Sequence, residues 1–169
     1  MTQAVELLLD PESDAAVRDQ WRQLDEAGLP SRARHRSPSN RPHVTVAAVS
    51  RIAPAAEQGI ARACVDRLPL AVRLGAPVVF GADPVVLVRL VIPTAALLDL
   101  HAAVARFAEV PAGSTSAPGA WTPHVTLSQR LPRAHLPRAL EVLSGDDLIL
   151  RLDSARRWDG DARREWRLD

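Results

Sequence analysis

The chain has 169 residues, 47% of them apolar, and a formal charge of +1 from 21 basic and 20 acidic side chains. Its length suits one ordinary domain, or two small lobes sharing a core, and excludes two independent enzymatic domains. Near-neutral charge argues against a protein that coats duplex nucleic acid, and the lack of any apolar run of about 20 residues argues against a membrane span.

In chain order, Val5 to Leu9 reads as a first strand, stopped by Asp10-Pro11. Ser13 or Asp14 is then placed to cap a helix in which Val17, Trp21 and Leu24 share a face, closed by Gly28 and Pro30. A loop from Ser31 to Pro42 leads into a strand over His43 to Val49. Pro54 opens a second helix, with Ile60, Cys64 and Leu68 on one face, and a strand from Leu70 to Leu74 follows. The second half repeats the series. Val85 to Ile92 is an apolar strand, and Pro93-Thr94 starts a helix striped by Leu97, Leu100, Val104 and Phe107. A loop from Pro111 to Pro123 precedes a strand over His124 to Ser128. A helix on Leu136, Leu140 and Leu143, stopped by Gly145, then leads to a strand from Asp147 to Asp153 and a short last one from Glu165 to Leu168.

His43 and His124 lie 81 positions apart, and that offset superposes other elements. Val5 falls on Val86, the Leu7 to Leu9 run on Val88 to Leu90, and the helices that follow overlap. Two copies make a duplicated half rather than a solenoid. The expected organisation is a single domain over residues 1–169, built of two pseudo-symmetric lobes, with motif strands near 43–49 and 124–128 brought to a shared cleft.

Missing residue types narrow the chemistry. The sequence contains no lysine, so a lysyl-nucleotide intermediate, a lysine Schiff base and a GxxxxGK[ST] phosphate loop are all excluded. No tyrosine is present either. Cys64 is the single cysteine, which excludes an internal disulfide and any multi-cysteine metal site; among Ile60, Ala61 and Val65 it reads as a buried small hydrophobe. Histidines and carboxylates remain as proton carriers. The stretch Met1 to Asp14 carries Glu6, Asp10, Glu12 and Asp14 without a basic and apolar signal, so the expected location is cytoplasmic.

Both histidines stand in a Pro-His-Val-Thr tetrapeptide, at His43-Val44-Thr45 and His124-Val125-Thr126. Side chains on a strand alternate faces, so each histidine shares a face with the threonine two residues on, while the valines anchor the other face. Across a cleft, two imidazoles and two hydroxyls would surround one tetrahedral anion. Displacement at phosphorus needs a base for the attacking oxygen and an acid for the leaving one, and histidine, with an ordinary pKa of about 6.5, serves as either. Thr45 and Thr126 would hydrogen-bond the non-bridging oxygens. Two histidines without a nearby carboxylate or cysteine make a thin ligand set, so no metal and no cofactor is expected.

Other residues admit two readings. The loop from Ser31 to Pro42 holds Arg32, Arg34, His35, Arg36 and Arg41, either as a flap that gathers an anionic nucleotide or as a solvated loop. Trp121, just before the second motif, either stacks on a base or anchors its loop. Arg89, inside an apolar strand, needs a partner or a cleft to face. His101 and His135 read as surface or core-edge residues.

With its paired His-x-Thr-x-hydrophobic motifs, one per half, the chain resembles the two-histidine (2H) phosphoesterase superfamily, of the bacterial 2′-5′ RNA ligase or cyclic phosphodiesterase type, over essentially its whole length. The resemblance implies an α+β fold with two antiparallel sheets flanking a central cleft and helices packed outside. It also implies metal-independent opening of 2′,3′-cyclic phosphates or 2′-5′ linkages, on RNA ends or small nucleotides. His43 and His124 would be the acid/base pair and Thr45 and Thr126 the phosphate holders. Many relatives carry an arginine five residues after the second histidine; Gln129 stands there and Arg130 follows, making Arg130, with Arg41 and Trp121, a candidate substrate contact. A monomer is expected. Two other readings are a non-catalytic nucleotide- or RNA-binding module and an ATP-independent 2′-5′ RNA ligase, the same chemistry reversed.

Overall fold

Strand β1 (Gln3–Leu9) ends where Pro11 begins helix α1 (Pro11–Glu26). Asp10, not Ser13 or Asp14, caps that helix: its carboxylate accepts the Ser13 amide at 2.9 Å. Pro11 has no N–H to satisfy and fits the first helical position, which moves the cap one residue before it. Ser13 is thereby freed to accept the Arg151 amide at 2.8 Å. The computed structural model describes residues 2–143 and 147–168. Over these, β2 (His43–Val49), α2 (Glu57–Val65) and β3 (Leu70–Phe80) complete the first half. The second half comprises β4 (Val85–Ile92), α3 (Ala95–Phe107), β5 (His124–Leu131), α4 (Leu136–Val142), β6 (Leu148–Asp159) and the short β7 (Arg164–Arg167).

All strand pairs are antiparallel, and hydrogen-bonded neighbours run in the order β2-β1-β6-β3-β4-β5, with β7 beside β6. Exchanging β1 with β4, β2 with β5 and β3 with β6 reverses this order onto itself, which is the two-fold relation the offset implies. The third strand of each half is exchanged, however: β6 pairs with β1, and β3 with β4. The β3–β6 pairing then joins the two sets of strands edge to edge, so that in place of the two sheets expected the strands make one seven-stranded antiparallel sheet. Register also refines the offset. Leu8 lies opposite His43 and Leu90 opposite His124, so β1 falls on β4 at 82 residues rather than 81.

Strands β3 and β6 run well past their expected ends at Leu74 and Asp153. Gly75-Ala76-Pro77 looks like a turn but forms a break in register between β3 and β4. There the fully buried Arg89 guanidinium donates to the carbonyl of Gly75 and, at 3.3 Å, to that of Leu74. Arg89 therefore satisfies backbone oxygens that the irregular strand leaves over.

Helix α1 buries the stripe expected of it, Val17, Trp21 and Leu24; in α3 Leu97, Leu100 and Val104 are buried, and Phe107 is half-buried against the core. In α4 the buried face is Ala139 and Leu143, and Leu140 is half exposed at 49%; the expected stop at Gly145 lies outside the described residues. Leu68 lies past the end of α2 yet still packs on the core. Burial pushes the Cys64 thiol up to about 12, so it stays a protonated hydrophobe. No helix among the described residues is long and apolar enough to cross a membrane.

Candidate active site

The two motif strands show the alternation that their sequence predicts. Val44, Val46, Val125 and Leu127 are fully buried, while His43, Thr45, His124 and Thr126 are half-buried on the opposite face. Each imidazole is held in the same way. His43 Nδ1 donates to the Arg41 carbonyl at 2.6 Å, and His124 Nδ1 to the Thr122 carbonyl at 2.7 Å. A carbonyl can only accept, so each ring carries its proton on Nδ1 when neutral and keeps its lone pair on Nε2.

The motif strands are also tied across the two halves. Trp21, from α1, donates its indole N–H to the Thr126 carbonyl, and Trp121 donates to the Thr45 carbonyl, both at 2.9 Å. Each half thus supplies an indole that holds the other half's strand at its threonine. The groups that face one another are likewise crossed. His43 and Thr126 line one crevice, of about 40 Å³, and His124 and Thr45 line a neighbouring cavity of about 610 Å³.

Surroundings of the two histidines differ. His43 Nε2 lies 3.5 Å from Oε1 of Glu6, a buried carboxylate on β1. The other oxygen of Glu6 accepts from Arg156 Nε at 2.7 Å, and Arg156 also donates to Glu165. Arg32, Arg41 and Gln129 complete the crevice. His124 meets no carboxylate among its described contacts; the Phe80 ring stands edge-on to it, centroids 4.9 Å apart. Burial pushes the His124 pKa below its ordinary value, opposed by the Thr122 carbonyl and aided by the nearby His43 charge.

The remaining expected contacts fare differently. Arg41 lines the crevice with its Nε 3.8 Å from Asp14. Trp121 borders the larger cavity, but its ring stacks on His101 at 4.0 Å and its N–H is committed to Thr45, so it anchors its loop. His101 is buried rather than at the surface, its Nε2 bonded to the Ser116 carbonyl at 2.9 Å. Arg130 lines neither pocket. It is exposed at φ 58° on a bulge that breaks the alternation after Ser128, and Gln129 takes the cleft position instead. Arg89 faces the β3 backbone and not the cleft.

Glu6 and Phe80 carry no assigned role in the sequence reading, and Arg32 is named there only as one of the arginines of the loop before the first motif. A charge in the apolar run of β1 was the signal for Glu6, but the same signal at Arg89 marks a structural group. Phe80 and Arg32 depend on strand extension and loop folding that local pattern does not show. Among the described residues no three His, Cys, Asp or Glu side chains gather into a group able to hold a metal ion.

The family model described as the 2′-5′ RNA ligase superfamily matches residues 9–163. The chain belongs to that superfamily. Solved structures of E. coli LigT share the fold. The complex with 3′-AMP and the complex with NADP+ each give 16% identity and a TM-score of 0.51, covering 98% of this chain and 91% of that one. The apo form gives 17% identity and a TM-score of 0.51, covering 99% and 94%. No curated protein matches the sequence significantly.

Proposed function

We propose that this superfamily member is a metal-independent phosphodiesterase that opens 2′,3′-cyclic phosphates or 2′-5′ linkages of RNA ends or small nucleotides. The observation that carries the reading is the crossed arrangement of the motif groups, with each histidine lining the same space as the other strand's threonine and each Nδ1 committed to a backbone carbonyl, which leaves the Nε2 atoms for proton transfer. A phosphate held between Thr45 and Thr126 would have an imidazole on either side. A module that only binds nucleotides has no need of two such proton carriers.

His124 is the general base and His43 the general acid. Burial keeps the His124 imidazole neutral, so its Nε2 takes the proton from the attacking water as that oxygen bonds to phosphorus. His43, whose Nε2 lies beside the Glu6 carboxylate, acts as the acid, an Nε2 proton passing to the departing ribose oxygen as the ester bond breaks. The threonine hydroxyls donate to the non-bridging oxygens while negative charge grows there. The cavity beside His124, with Phe80 and Trp121 in its wall, has room for a nucleoside, in keeping with the 3′-AMP complex of the structurally similar LigT. The two pseudo-symmetric lobes act as one domain around this cleft. Run in reverse, the same groups would join a hydroxyl to a cyclic phosphate, the ATP-independent ligase reaction.

A panel of 2′,3′-cyclic nucleotides and 2′-5′-linked oligonucleotides, assayed in excess EDTA, tests the proposal. Turnover with a bell-shaped pH profile is expected, and His43→Ala and His124→Ala should each cost about 10² to 10⁴ fold in rate. Full activity in either variant, or restoration only by added metal, would overturn the mechanism.

A further inference from the structure

The crevice on the His43 side holds two guanidinium groups, and they are not equivalent. Arg41 sits 3.8 Å from the Asp14 carboxylate. Arg32 has no carboxylate within ion-pair distance among the described residues. Its hydrogen-bond partners are neutral amides: NH1 donates to Gln129 Oε1 at 3.1 Å and NH2 to Asn40 Oδ1 at 2.7 Å. Two of its five N–H donors are used in this way, which leaves others for a ligand. Burial works against the Arg32 charge, and Glu6 supports it only from beyond ion-pair distance. A partly desolvated cation supplied only with neutral acceptors lacks a counter-charge of its own.

The loop that carries Arg32 is folded to present it. Ser31 caps a short 3-10 turn at Arg32–Arg34 by accepting the Ala33 amide at 3.1 Å, and the Ser31 hydroxyl donates to the Trp21 carbonyl at 2.5 Å. The Asn40 side chain, which accepts from Arg32, also donates to the carbonyls of Arg32 and His35, each at 2.9 Å. Arg18 NH2 holds the Asn40 carbonyl at 3.1 Å. Neither a loose solvated loop nor an open flap has such a set of bonds. The guanidinium is aimed into the space that also contains His43 and Thr126.

From this geometry we infer that Arg32, set in place by Gln129 and Asn40, is the cation that binds the non-bridging oxygens of the substrate phosphate, reaching the motif from the loop before β2 rather than from β5. The inference deepens the reading above and rests on it for the identity of the substrate, but not for the existence of the anion site. A planar fork held by two amides is ready to bond two oxygens of one phosphate without losing rotamer freedom on binding. Gln129 suits this task because it orients the guanidinium without neutralising it; a carboxylate there would compete with the ligand.

The test measures binding of inorganic phosphate by calorimetry, and separately turnover of a 2′,3′-cyclic nucleotide, in the wild type, Arg32→Ala, Arg32→Lys and Gln129→Glu. Loss of a charge-assisted contact predicts binding weakened about tenfold to a hundredfold in Arg32→Ala, with partial recovery in Arg32→Lys. Gln129→Glu should also weaken binding while leaving the melting temperature unchanged or higher, which a purely structural Arg32–Gln129 pair would not do. Equal phosphate affinity in wild type and Arg32→Ala, or no measurable binding to the wild type, overturns the inference. Arg32-dependent binding without turnover of any cyclic nucleotide supports the anion site and overturns only the phosphodiesterase reading.

Discussion

The two sides of the cleft share one backbone plan and differ in what surrounds it. On both, a histidine at the head of a strand donates an Nδ1–H hydrogen bond to the carbonyl two residues earlier, and an indole from the opposite half holds the threonine carbonyl. Around His43 the space is narrow and charged, with Glu6, Arg32, Arg41 and Gln129. Around His124 it is wide and largely apolar, with Phe80, Trp121 and Ala48. The register makes the divergence explicit: Glu6 lies opposite Thr45, and the matching residue opposite Thr126 is Val88. The repeated motif supplies two imidazoles held alike by the backbone, and residues outside the motifs give them unequal surroundings.

That comparison can be broken most sharply at the threonines. Thr45→Val and Thr126→Val each remove one hydroxyl that the proposed mechanism has donate to the phosphate, and each should then lower kcat by about 10² fold or more, in the range of a lost oxyanion donor. If the crossed pairing is correct, the two losses will be similar, because one phosphate bridges both strands. A large loss at one position and none at the other would show that the phosphate binds to a single half.

A smaller effect concerns proton affinity. Because burial depresses the His124 pKa, its neutral, proton-accepting form persists to lower pH than for an ordinary histidine. The acid limb of the kcat/KM profile, which reports the free enzyme, should therefore lie below about 6.5. Phe80→Ala admits water beside the ring and should move that limb upward, toward the ordinary value. A limb that stays fixed in Phe80→Ala would assign it to another group.

The smallest change expected is at the indoles. Trp21→Phe and Trp121→Phe keep a ring but drop an N–H that serves a half-buried carbonyl, costing about 1 kcal/mol each. In a chain of this size that corresponds to a fall of roughly 2–4 °C in Tm. A rise in KM without change in Tm for Trp121→Phe would restore Trp121 as a surface on which the base stacks.

Much of this protein is legible without its fold. The paired His-Val-Thr strings, the faces of β2 and β5, the stripes of α1 and α3 and the order of elements follow from periods of 2 and 3.6 residues, which are properties of the local chain. Errors fall where a local cue has a non-local answer. Gly75 and Pro77 signal a turn, yet the chain continues as a strand because Arg89, 14 residues on from Gly75, satisfies the displaced carbonyl there. Arg130 is a candidate contact only through the resemblance, and a bulge after Ser128 leaves it exposed while Gln129 lines the crevice.

The sequence by itself determined the pair of imidazoles and hydroxyls and the chemistry they can perform, because residue type and alternation along a strand are local facts. Only the tertiary structure decided that β3 and β6 change places, that His43 lines a crevice with Thr126 and His124 a cavity with Thr45, and that Glu6 and Arg32 lie on the His43 side. Those relations depend on strand register and on packing between segments up to 150 residues apart, as with Glu6 and Arg156. No pattern within either segment encodes them.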